Sequence, residues 1–133
     1  MPDEQSTDLY AGLDPRQRWL SQAAPAVEDA DFRLDTTARL HEACSVGSEA
    51  AEYAVAHQAC RAFLQATVQY HDEISDRRKL KRLVCYPRGA TIENAKQAFL
   101  AWGDAHAKDA GLMAEPPVVG VVHALAAKYP CRK

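Results

Sequence analysis

The feature that most constrains what this chain can fold into is its four cysteines, the last two of which bracket a self-contained unit. Cys85-Tyr86-Pro87 leads through a turn into two helical patterns, which end at Tyr129-Pro130-Cys131. Thr91 is suited to cap the first helix, and Ile92, Ala95, Phe99 and Trp102 follow at helical spacing as one apolar stripe. Glu115-Pro116-Pro117 opens the second helix, with prolines where amide hydrogens would be unpaired anyway. Val118, Val121, Val122, Leu125 and Tyr129 form the facing stripe. A short link makes the two helices antiparallel. The start of the first then lies beside the end of the second, so Cys85 and Cys131 are predicted to bond.

Four cysteines in a small chain are an even set, which reads as two disulfides and an oxidising compartment. Four reduced thiols or a metal site are the competing arrangement. Pairing Cys85 with Cys131 leaves Cys44 with Cys60, and geometry tests that remainder. Were residues 48–60 one straight helix, a rise of about 18 Å would separate Cys60 from the turn beside Cys44, too far for a bridge. Either the helix proper starts late, near Cys60, with residues 45–57 doubling back, or the pairing is different; the former is the expectation.

At 133 residues the chain is long enough for one modest core. Its net charge of -2 provides no basic field for nucleic acid. No run of apolar residues is long enough to span a bilayer. The stretch Met1 to Asp8 is polar and acidic, unlike a signal peptide, so export predicts that a leader has been removed upstream.

Residues 1–30 are expected to be a lead-in with a short helix over 15–23, capped by Asp14-Pro15 and burying Trp19 and Leu20. The helical domain is expected over 31–133. Asp35 is predicted to cap a helix through Cys44, with Leu40 and Cys44 on one face. Gly47 closes it, and Ser48 opens the longest helix, 48–72, on which Tyr53, Ala56, Cys60, Phe63, Leu64 and Thr67 recur at helical spacing. The fold class that follows is all-α: a compact bundle of four to five helices stapled by two disulfides.

His57-x-x-Cys60 places two side chains on one helix face, as zinc or a Cys-His nucleophile needs, but no matching ligands accompany the pair. His41, His71, His106 and His123 are scattered singly. The acids Glu42, Glu49, Glu52, Asp72 and Glu73 sit where helix-surface acids sit, and there is no Gly-rich phosphate loop or serine-nucleophile motif. The reading is a non-enzyme with no catalytic residues, no metal and no cofactor. For a partner site, the basic run Arg77, Arg78, Lys79, Lys81 and Arg82 comes first, because a cationic patch can steer an acidic cleft. Leu112 and Met113, in a predicted exposed loop over 103–113, come second.

The order of these segments resembles the Rap/Tai immunity proteins. The resemblance is carried by Leu40-x-x-x-Cys44, then Cys60-Arg61-x-Phe63-Leu64-x-x-Thr67, then Cys85-Tyr86-Pro87-x-Gly89-Ala90-Thr91, then Phe99-x-x-Trp102, then Glu115-Pro116 to Tyr129-Pro130-Cys131. It covers about residues 34–131, and its most specific parts are Cys85-x-Pro87 with Gly89-x-Thr91 and the terminal aromatic-Pro-Cys. The resemblance implies a small helical antidote of the type VI secretion system, periplasmic and commonly homodimeric. Such a protein binds and occludes a peptidoglycan amidase effector delivered by a neighbouring cell. From the balanced charge and the absence of a spanning apolar run, no nucleic acid and no membrane partner is expected. The alternative is a periplasmic stress or folding helper that binds other proteins without catalysis.

Overall fold

A computed structural model describes residues 33–132. The lead-in expected over 1–30 and its short helix therefore lie outside the described residues. Five helices follow: α1 (Thr37–Ser45), α2 (Tyr53–Arg77), α3 (Ile92–His106), α4 (Ala110–Ala114) and α5 (Pro117–Lys128). No strand occurs among the described residues, apart from an isolated antiparallel bridge between Val84 and Pro130. Helices α1, α2, α3 and α5 each touch the other three, so one core serves all four. Leu40, Cys60, Leu64, Val84, Phe99, Val121, Ala124 and Leu125 are its fully buried members. The all-α bundle expected from periodicity is the one observed.

Local chemistry places each helix start. Thr36, one residue later than the expected Asp35, caps α1 by accepting from the Arg39 amide at 3.2 Å. Thr91 caps α3 as expected, and Asn94 completes a capping box by accepting from the Thr91 amide. Before it, Ala90 N–H donates to Pro87 across a turn that places Gly89 at φ 84, where a side chain would be strained. The chain thus turns sharply from Cys85 into α3.

The link between α3 and α5 contains α4, whose cap Asp109 accepts from the Leu112 amide. Residues 103–113 are therefore mostly helical rather than an exposed loop. The apolar Met113 side chain is buried and Leu112 is half-buried, which removes Met113 from the exposed surface expected of it.

Both predicted disulfides form. Cys85 and Cys131 have Cα atoms 4.9 Å apart, beside a hydrogen bond from Cys85 N–H to Tyr129 O at 2.9 Å. Cys44 and Cys60 have Cα atoms 5.1 Å apart. Helix α2 starts at Tyr53, later than Ser48 but earlier than the expected start near Cys60. Residues 46–52 turn back on themselves, and Cys60, roughly 10 Å up α2, meets the end of an α1 that runs alongside.

Two glycines allow close approach between helices. A Cβ on Gly120 would collide with the Thr37 side chain, and one on Gly103 with the His41 ring. Thr37, fully buried at the first position of α1, donates its amide to Glu115 O at 2.8 Å and its hydroxyl to the same carbonyl at 3.0 Å. The first amide of α1 is thereby satisfied by the turn between α4 and α5.

Candidate protein-docking groove

The buried stripe of α5 is Pro117, Gly120, Val121, Ala124 and Leu125. The expected stripe began one residue later. In the observed rotation, Val118 and Val122 turn away from the core centre and toward α2. They form one wall of an open groove of about 850 Å³. The opposite wall is the second half of α2, from Phe63 through Tyr70 and Ile74 to Ser75. The segment after α2 crosses one end and contributes Leu80, Lys81 and Leu83.

Four of the five large hydrophobic residues exposed among the described residues lie here: Tyr70, Leu80, Leu83 and Val118, each between 47% and 69% accessible. Singly exposed apolar side chains are ordinary, whereas a contiguous set lining one concavity makes a candidate interaction surface.

The end wall is held by a polar latch. Helix α2 terminates with Lys79 in the left-handed region at φ 56, and the Leu80 amide reaches back to Ser75 O at 2.9 Å. His71 Nε2 accepts from the Leu83 amide at 3.2 Å, while its Nδ1 lies 2.9 Å from Asp72 Oδ1. An accepting Nε2 places the imidazole proton on Nδ1, donated to Asp72. Arg82 closes the set with 2.7 Å to Asp72 and 3.4 Å to Asp76. A His-Asp pair of this kind can orient a catalytic base, but here the nitrogen that would take a proton already holds an amide hydrogen. Its observable role is to fasten residues 80–83 to α2. Tyr86, half-buried against Tyr129, has its phenol pushed up to about 12, chiefly by burial and then by the Asp72 carboxylate.

The basic run is divided by this arrangement. Arg77 pairs with Glu73 at 2.8 Å, which raises its pKa, and Arg82 belongs to the latch. Arg78, Lys79 and Lys81 are exposed and have no carboxylate partner among the described residues. Of the seven residues expected at a partner site, Lys81 lines the groove; Leu112 and Met113 do not.

Sequence reasoning missed Tyr70, Leu80, Leu83, Val118 and Val122 as a surface. A signal was present, since α5 reads Pro-Val-Val-Gly-Val-Val-His-Ala-Leu, apolar on every side. A helix that is apolar all round has a second face to cover.

The His57-Cys60 pair is also resolved. Cys60 is bonded to Cys44, and no cysteine is free. His57 stacks on Tyr53 with ring centres 5.0 Å apart and accepts from the buried Lys96 ammonium at 3.3 Å. Among the described residues no three metal-ligating side chains converge, and no helix is long and apolar enough to cross a membrane.

A family model described as Rap1a immunity proteins matches residues 36–131. No curated protein and no solved structure shows significant similarity to this chain. The match spans the four helices that share the core, both disulfides and every residue that lines the groove. The chain belongs to the Rap1a immunity protein family.

Proposed function

We propose that this protein is a periplasmic immunity protein that binds a peptidoglycan amidase effector of the type VI secretion system and occludes its cleft. The family supports an immunity role against a secreted effector, and two disulfides fit an extracytoplasmic compartment. The observation that carries the binding reading is the apolar groove between α2 and α5, whose end wall is fastened to α2 by the latch on residues 80–83. Action by binding needs a rigid body with a few apolar anchors inside a polar rim, and this surface has both. Pairing of two copies of the chain belongs to the same reading.

Co-expression supplies the test. The protein would be directed to the periplasm of a susceptible bacterium together with each of a panel of amidase effectors. Protection against one of them, with a stable complex on gel filtration, is the expected outcome. Failure to protect against any, with no complex formed, would remove the proposal.

A further inference from the structure

We infer that the α2–α5 groove receives an amphipathic helical segment of a protein partner, about three turns long, with carboxylates beside its apolar face. The inference deepens the proposed function and rests on it only in taking the partner to be a protein.

Shape comes first. The α2 wall runs from Phe63 to Ser75, about 18 Å of helix, and the facing α5 wall from Val118 to Ala126 runs about 12 Å. A trough of that length walled by two helices matches a helix of about three turns, whose apolar residues at i, i+3, i+4 and i+7 would meet Phe63, Ile74, Val118 and Val122.

Charge sets the polarity of the occupant. The segment that crosses one end of the groove carries Lys81, with Arg78 and Lys79 just before it, and none of the three has a carboxylate partner among the described residues. The neighbouring Arg77 and Arg82 are neutralised within the fold. Carboxylates flanking the occupant's apolar face would meet these three cations.

A second copy of this chain fits less well. An isologous pairing would set one concave surface against another, leaving unfilled space between the walls. It would also bring two unpartnered cationic rims toward one axis.

The probes are three synthetic peptides of about 18 residues, titrated against the full chain by fluorescence anisotropy. One carries a leucine face flanked by glutamates, the second the same face flanked by lysines, and the third the glutamates with serines replacing the leucines. The glutamate-leucine peptide is expected to bind and to shift the Val118, Val122 and Leu83 methyl resonances. The lysine peptide is expected to bind roughly tenfold more weakly or worse, and the serine peptide not at all. The variant K79E/K81E should invert the order of the first two. Val118→Asp, at a residue already 47% exposed, should abolish binding while leaving the helical circular dichroism unchanged.

Equal affinity for the two leucine peptides, shifts confined to another surface, or no binding by any peptide would overturn the inference. A sedimentation mass of two chains that falls to one in Val118→Asp would overturn it in favour of a second copy. Should Val118→Asp still protect cells against an effector that the parent protein neutralises, the groove inference fails while the immunity reading stands. Peptide binding as expected, without protection against any effector, separates them the other way.

Discussion

Among single residues, Lys79 and Tyr86 lead to the clearest expectations. Lys79 adopts the left-handed conformation that ends α2, a position glycine takes without steric cost. Lys79→Gly is expected to stabilise the fold by about 0.5–1 kcal/mol, read as a higher midpoint in urea. Tyr86 holds its proton to about 12 in the fold because burial disfavours the phenolate, whereas an unfolded tyrosine loses it near about 10. Below the lower value both states are protonated and the stabilisation is fully present. It is lost as pH rises through the interval, since the unfolded chain then releases a proton that the fold retains. Stability should fall across that interval in the parent protein and fall less in Tyr86→Phe, as measured by denaturation at a series of alkaline pH values. His71 adds a different kind of constraint, because the latch depends on which of its two nitrogens carries hydrogen.

Helix placement depends on contacts at helix ends and crossings. Helix α1 can sit against α5 because position 120 has no side chain, and the Thr37 methyl and hydroxyl occupy the space a Cβ would take. Gly120→Ala is expected to destabilise by about 1–3 kcal/mol through overpacking, observable as a lowered Tm. Both members of the Thr37–Glu115 hydrogen bonds are at stake, since any shift of α1 lengthens them. Periodicity made α3 legible, with Thr91 as cap and Ala95 and Phe99 inward. It misjudged α5 by one residue because valines occupy neighbouring positions 118, 119, 121 and 122, so several rotations bury an apolar stripe equally well. The choice among them was made by Gly120, the one position where α1 could approach, and that choice sent Val118 and Val122 into the groove.

Across the whole molecule, two covalent loops tie the bundle at opposite ends of the sequence. The Cys85–Cys131 bridge spans 46 positions and encloses α3, α4 and α5, whereas Cys44–Cys60 spans 16 and clips α1 to α2. In the chain-entropy model the longer loop is worth about 4 kcal/mol and the shorter about 3. The double variant Cys85→Ala/Cys131→Ala is expected to lose about 4 kcal/mol in chemical denaturation, and the parent protein under reducing conditions should be less stable than either single-bridge form. Four helices around one small core make such staples consequential.

The linear pattern of residues by itself determined the helical class, the Cys85–Cys131 closure and the cap of α3. Each of these depends on near neighbours or on an antiparallel return that a short link dictates. It also carried the order of segments by which the family is recognised. The groove was decided only by the tertiary structure, because its walls come from residues some fifty positions apart, Phe63 to Ser75 on α2 and Val118 to Ala126 on α5. Whether an apolar side chain there meets the core or water depends on the rotation of α5, and that rotation is set by steric contact with Thr37 from a third helix. Spacing along one helix holds no information about a collision with another.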